Sequence, residues 1–322
     1  MPEQPEAGPH VLRRAALADA GRIADVLDEC TRYYLDRPSS RDDALSRLKQ
    51  GDPAEDFRIA IDSHAKTVGF GHLWESSPQE VRAFVRVRPS AKGLGVSSAL
   101  LSWLEHRAGA IAEDLHPDAV LTLTHWAKDT DAAPVLESAG FQPVRHFLQM
   151  RIDLSIVDLP RASWSDGLEL RSFSPGRDEA ELFAAFREAF AEHSGDAEVK
   201  EAEWWNENRD SPNAGFDATL WFVASDGPTI AGFSICRERE EDAESVGWIS
   251  LLGVRPRRRG RGLAEALLLH SLAALGARGL RRAALNVDVD NTTGALRLYE
   301  KVGMNPVPAF TIWSKRIDRE HA

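Results

Sequence analysis

Cysteine is almost absent from this 322-residue chain. Its two cysteines, Cys30 and Cys236, stand far apart and outside any CxxC or mixed Cys/His spacing, which argues against a disulfide framework and a zinc centre. No metal ligand set is expected. Long apolar runs are also missing: nowhere do eighteen apolar residues stand together, and Met1–His10 is polar and proline-bearing with no apolar export segment. No membrane partner is expected, and the cytoplasm is the expected location. Positive charge is in deficit, with 39 basic against 50 acidic residues and a net charge of −11, so a phosphate backbone would meet a repelling surface and no nucleic-acid partner is expected.

What remains has the make-up of a folded protein. The chain is 43% hydrophobic and 28% charged, and its length suits two cores of ordinary domain size. Self-similarity supports that division. Val85 to Gly95 resembles Leu252 to Gly262 at an offset of 254 − 87 = 167 residues. Val68-Gly69-Phe70 matches Ala231-Gly232-Phe233, and Glu137 to Phe141 matches Glu300 to Met304, both at an offset of 163. Two copies of one fold are expected: residues 1–156, a linker at 157–166 containing Asp158, Pro160, Ser163 and Ser165, and residues 167–322.

The hydrophobic periods place helices over Asp19–Leu35 and Asp178–Glu192. In the second copy, strands are expected at Leu220–Ala224, Thr229–Arg237, Val246–Val254, Arg282–Val287 and Phe310–Ile317. Helices are expected from Gly262 to Ala277 and from Thr293 to Val302, ended by Gly279 and Gly303. The alternating order implies an α/β (α+β) fold in which each copy has a mixed central sheet flanked by helices.

Chemistry concentrates in two segments of the second copy. In the first, Val254-Arg255-Pro256-Arg257-Arg258-Arg259-Gly260-Arg261-Gly262-Leu263-Ala264 joins a strand to a helix. Glycines there let backbone N–H groups converge on a phosphate at a helix N-terminus. This segment resembles the (Arg/Gln)-x-x-Gly-x-(Gly/Ala) loop of the GNAT acetyltransferase family, starting at Arg259. The second segment, Asn291 to Met304, is similar to the family's Asn-x-x-Ala-x-x-x-Tyr-x-x-x-Gly-(Phe/Met) stretch, with Ala295 one place late. Asn291 is expected to cap its helix.

The resemblance implies acetyl-CoA as acyl donor, held by Leu252, Gly253, Val254, Arg259, Gly260, Arg261, Gly262, Leu263, Ala264 and Asn291. It implies a small-molecule or peptide amine as acceptor, and Tyr299 as the acid that protonates the departing thiolate. The protein is expected as a monomer or homodimer. An amine attacking a thioester must first be neutral, because a lysine-like amine has a pKa of about 10.4. Glu244 is the candidate base, sharing by period two the face of Val246, Trp248, Ser250 and Leu252; Asp288 is a second choice, and ordered water a third. Trp204, Trp205, Trp221 and Trp248 are candidates to line an acceptor pocket, against the commoner role of tryptophan in a core.

In the first copy, Val85, Val87, Lys92, Gly93, Leu94, Gly95, Val96 and Ser97 leave a second cofactor site open, with Lys and Ser at two of the patterned places. The place of Tyr299 is 299 − 163 = 136, Leu136, which has no proton to give, so this copy is expected to be non-catalytic. Tandem copies with an active second one resemble the mycothiol synthase branch of the family, although Trp248 stands where that branch carries an acidic residue. A non-enzymatic acyl-CoA sensor and an O-acetyltransferase are the alternatives.

Overall fold

The computed structural model describes residues 10–35, 41–49, 51–157, 159–163, 167–191, 199–211, 214–241, 244–291 and 294–318. In the first copy, β1 (His10–Arg14) carries Arg13, whose guanidinium donates to both oxygens of Asp19 at 2.9 and 2.6 Å. The Asp19 carboxylate also accepts from the Ala16 amide at 2.9 Å, which fixes the turn from strand into helix α1 (Ala20–Leu35). Helices α2 (Arg41–Leu48) and α3 (Pro53–Asp56) follow, then β2 (Phe57–Asp62), β3 (Thr67–Ser77) and β4 (Glu80–Val87). Helix α4 (Val96–Ala110), β5 (Val120–Trp126) and α5 (Ala132–Ser138) complete the consecutive part.

The chain continues through β6 (Gln142–Asp153) and β7 (Glu169–Ser172) to α6 (Glu179–Phe190) and α7 (Glu201–Trp205). The strand-to-helix device recurs here, with Arg171 donating to Asp178 at 2.5 and 2.9 Å and the Ser174 amide donating to the same carboxylate at 2.8 Å. Strands β8 (Trp221–Asp226), β9 (Thr229–Glu241) and β10 (Glu244–Val254) lead to α8 (Leu263–Ala277), β11 (Arg282–Asp288), α9 (Ala295–Lys301) and β12 (Asn305–Arg316).

The fold is the expected mixed α/β arrangement, but its two units are not two consecutive halves. One unit is Met1–His146 with Ala309–Ala322, and the other is Phe147–Pro308. In the first the strand order is β1-β2-β3-β4-β5-β12, and in the second β6-β11-β10-β9-β8-β7. Strand β12 runs antiparallel to β5 from Phe310↔Trp126 to Arg316↔Val120, while β6 runs antiparallel to β11 from Phe147↔Asp288 to Asp153↔Arg282. Each copy thus gives its last strand to the other unit, and the division expected at 157–166 is replaced by breaks inside β6 and β12.

Burial shows why these strands belong where they lie. Trp313 of β12 is packed with Leu104, Leu121 and Phe141 in the core beneath α4. Met150 and Ile152 of β6 are packed with Leu267, Leu272 and Leu285 in the core beneath α8. Such side chains each contribute roughly 1.5–3 kcal/mol when buried. Both cysteines are buried free thiols. Among the described residues no helix is long and apolar enough to cross a membrane, and no acidic, His and Cys cluster could hold a metal ion.

Candidate functional site

The strand that leads into the glycine turn is opened on one edge. Strand β10 pairs in parallel with β11 only at Gly247↔Ala283 and Trp248↔Ala284, although β10 runs on to Val254 and β11 to Asp288. Beyond Trp248 the edge of β10 that faces β11 therefore makes no ladder with it. A register shift on the other edge falls between Ile249 and Leu251, which oppose Cys236 and Ile235, so Ser250 is an extra residue on β10. A bulge of this kind takes a residue out of the ladder and turns the strand. The result is a notch whose wall is unpaired backbone.

The bulge also corrects the face assignment made by strict alternation. Val246 and Trp248 pack together with Ala284, whereas Leu252 and Val254 belong to the core beneath α8. Trp248 and Leu252 thus lie on opposite faces. Glu244 opens β10 opposite Glu241, and its side chain lies outside the described residues.

The turn after β10 is built by backbone conformation. A single 3-10 turn, Pro256–Arg258, is followed by extended Arg259, and Gly260 and Gly262 take φ of 75° and 78°. Only glycine adopts these angles cheaply. A side chain added at either glycine would meet nothing within 4 Å, so the mouth of the turn is open. Gly262 is the residue before α8 and caps it with no side chain. The first-turn amides of α8 are thus left by their own cap to another partner. Gly253 serves a different end: a Cβ there would stand 2.6 Å from the Phe233 ring and 3.1 Å from Ala189. Its absence lets β10 close on Phe233 and α6.

The arginine run divides into two sets. Arg255 pairs with Glu181 at 2.8 Å and with Glu188 at 2.9 Å, and Arg258 pairs with Asp226. Arg259 donates from Nε to the Val254 carbonyl at 3.2 Å and from Nη2 to the Ala189 carbonyl at 2.9 Å. These three fasten the turn to α6 and to the β8–β9 hairpin. Arg257 and Arg261 are exposed and, among the described residues, make no ion pair. They are the cations free to meet an anion at the mouth.

Tyr299 lies on α9 in the same core as Val254, Leu263 and Leu267, and Leu252 and Ala264 pack against that core. Burial pushes its phenol up to about 12. Helix α9 begins at Ala295, after Gly294 in the left-handed conformation, and Thr293, where the helix was expected to start, lies outside the described residues. Asn291 is therefore not its cap; its amide donates instead to the Asp288 carbonyl at 3.2 Å. The Asp288 carboxylate accepts from the Asp290 amide at 3.1 Å, within the same turn.

Three of the four tryptophans proposed for a pocket form an aromatic core. Trp204, Trp205 and Trp221 are 3%, 6% and 1% exposed and pack with Phe173, Phe183 and Phe233. Trp205 and Trp221 stack at 6.2 Å and 18°. Trp204 and Trp205, at the end of α7, and Trp221, at the start of β8, are thus buried against α6 and are not presented to a ligand.

The first unit repeats the backbone of the site. Strands β4 and β5 pair only from Glu80↔Val120 to Ala83↔Leu123, and Gly93 and Gly95 take φ of 74° and 77°. A pocket open to solvent lies in the resulting gap, lined in part by Val85, Arg86, Val87, Lys92, Gly93, Ser97 and Leu136. Leu94 and Val96 line a separate cleft with His10 and Lys66.

Comparison with known proteins agrees with this geometry. Residues 180–304 match the acetyltransferase (GNAT) family. A mycothiol acetyltransferase of Geodermatophilus obscurus is 30% identical, with 87% of this chain and 88% of that protein covered. A GCN5-related N-acetyltransferase from Sphaerobacter thermophilus, 27% identical, superposes over 98% of this chain and 97% of that chain at a TM-score of 0.78. A tandem GNAT protein from the clavulanic acid biosynthesis pathway shares the fold at 16% identity and a TM-score of 0.73, over 96% of this chain and 99% of that one.

Proposed function

We propose, from the premise that the chain belongs to the GNAT family of acetyltransferases and is an acyltransferase, that its second unit moves an acetyl group from acetyl-CoA to the primary amine of a small molecule. The open turn at Gly260 and Gly262, beside Arg257 and Arg261, is the observation that carries this reading. Its amides and the N-terminus of α8 suit a diphosphate. The unpaired edge of β10 suits an amide-bearing arm, which would lie along it as an added strand.

Each side chain then has a chemical task. Attack by the amine on the thioester carbonyl builds negative charge on oxygen, and a backbone amide taken out of the ladder at the Ser250 bulge would be the donor to meet it. As the carbon–sulfur bond breaks, Tyr299 gives its proton to sulfur. A phenol pushed up to about 12 holds that proton at neutral pH. The departing sulfur would form beside the apolar core that holds Tyr299, where burial favours the protonated form. Water in the notch is the base that the described residues best allow, since Asp288 is engaged in its own turn.

The curated relatives are named mycothiol acetyltransferases, so an amine precursor of mycothiol is the first acceptor to try. Purified protein with acetyl-CoA and a panel of amines should release free thiol. Tyr299→Phe should lower kcat by roughly 100-fold or more while leaving acetyl-CoA affinity unchanged. Equal turnover by that variant would remove Tyr299 from the chemistry. In the wild type no loss of rate from tyrosine ionisation is expected between about pH 7 and 10, because the phenol keeps its proton until about 12.

A further inference from the structure

We propose that Gln149 and Asn286 determine acceptor specificity in the second unit, by hydrogen-bonding the hydroxyl groups of an acceptor whose amine is carried on a sugar or polyol. This deepens the reading of the second unit given above and rests on it.

The side of approach follows from Tyr299. Its helix and the core beneath α8 occupy one face of the sheet, with Met150, Ile152, Leu285 and Val287 turned to that face. An amine attacking a thioester in the notch must then come from the opposite face. Trp248 and Ala284, the last paired residues of β10 and β11, turn to this opposite face together with Val246. By alternation Asn286 follows Ala284 there, two residues past the point where β10 leaves the ladder. Asn286 thus stands on the rim of the notch, and it is exposed between buried Leu285 and Val287.

Strand β6 brings the second amide. The register sets Gln149 opposite Asn286 and Arg151 opposite Ala284. Residues directly opposite share a face, with Cβ atoms roughly 4.5–5.5 Å apart. Gln149 is 9% exposed, and its Oε1 accepts from Arg151 Nε. A guanidinium only donates, so this contact orients the amide, with its oxygen towards Arg151 and its nitrogen away. Among the described residues neither Gln149 Nε2 nor the side-chain amide of Asn286 makes a hydrogen bond.

Two neighbouring amides offer a donor and an acceptor together. A hydroxyl can use both, its oxygen accepting from Gln149 Nε2 and its proton going to Asn286 Oδ1. An alkyl group would leave both amides unpaired beneath it, which is how a site built for hydroxyls rejects an analogue without them. The first unit lacks the pair: at 149 + 163 = 312 stands Ile312, which faces Thr124 across β12 and β5. The amides belong to the unit read as catalytic and not to the repeat.

Three acceptors with the same α-amine separate the outcomes when each is given to the intact chain with acetyl-CoA: glycyl-glucosamine, glycine cyclohexylamide and glycyl-glutamate. In the wild type kcat/KM should be highest for glycyl-glucosamine, by roughly tenfold or more over the cyclohexylamide. In Asn286→Ala and in Gln149→Met the KM for glycyl-glucosamine should rise about tenfold, while the KM for acetyl-CoA and kcat stay nearly unchanged. A merely structural role would move both KM values and the melting curve. Equal wild-type rates on the glucosamine and cyclohexyl conjugates would overturn the hydroxyl assignment and leave the proposed function standing. A preference for glycyl-glutamate would do the same, by making the face an anion site. Folded variants that keep the full wild-type preference would remove Gln149 and Asn286 as its source. If none of the three is acetylated while another amine is, the assignment falls alone; if no amine is acetylated, the proposed function falls with it.

Discussion

The guanidinium of Arg259 reaches the carbonyl of Ala189, 2.9 Å away in the last turn of α6, so the family's patterned arginine braces the turn through its side chain. Its charge and its geometry can be separated by experiment. Arg259→Lys keeps the charge but cannot bond both carbonyls. Losing one such hydrogen bond costs about 1–1.5 kcal/mol, so the KM for acetyl-CoA should rise roughly tenfold with kcat nearly unchanged. Wild-type kinetics in that variant would mean the brace is idle.

Gly253 tests the packing behind the same turn. In Gly253→Ala the new methyl would begin 2.6 Å from the Phe233 ring, deep between β10 and α6. Overpacking of this kind typically costs 1–3 kcal/mol. The melting temperature should fall by several degrees, and acetyl-CoA affinity should fall with it because β10 shifts. An unchanged melting curve would place slack in the aromatic core where none is seen.

His72 gives the first unit a weakness to acid. It is fully buried, stacks on Phe57 at 3.8 Å and 9°, and neither ring nitrogen has a hydrogen-bond partner. Burial, with the Arg47 charge nearby, lowers its pKa to about 3 from an ordinary value of 6.5. The unfolded chain therefore takes up a proton near 6.5 that the folded chain refuses until about 3. Stability should fall as pH drops through that window, by up to about 5 kcal/mol. His72→Leu should flatten this slope in denaturant titrations at pH 7, 5 and 4. A slope as steep as the wild type's would assign the acid sensitivity to other groups.

The exchanged strands predict how the protein divides. Cutting it between residues 157 and 166 separates Trp313 from Leu121 and Met150 from Leu285, although each pair shares one core. Either half alone should be insoluble or molten, and coexpression of the two should restore acetyl transfer. A half that folds alone with a cooperative melting curve would contradict the exchange.

These examples also show what local sequence could tell. The turn from Arg259 to Gly262 was legible because its requirement, positive φ at two glycines before a helix, is met by residues side by side. The tandem repeat was legible for the same reason. Ser250 was not, because a bulge leaves no mark in composition and yet reverses every side chain after it. The strand exchange was invisible because β6 and β12 are versions of one strand, and likeness between them cannot say which partner each chooses. The stacking of Arg86 on Trp126 was likewise invisible, since the two stand about forty residues apart in sequence. The cap expected at Asn291 is replaced for a local reason: Gly294, in the left-handed conformation, is the residue before α9.

Strand β5 of the first unit carries Leu121 and Leu123 into its core and pairs on one side with β4 and on the other with β12. As the chain leaves the ribosome, β5 must wait with that second side bare until β12 has been made, while β11 finds β6 already at hand. The part translated first is therefore the part finished last, and any chaperone that shields nascent chains would find its binding edge there.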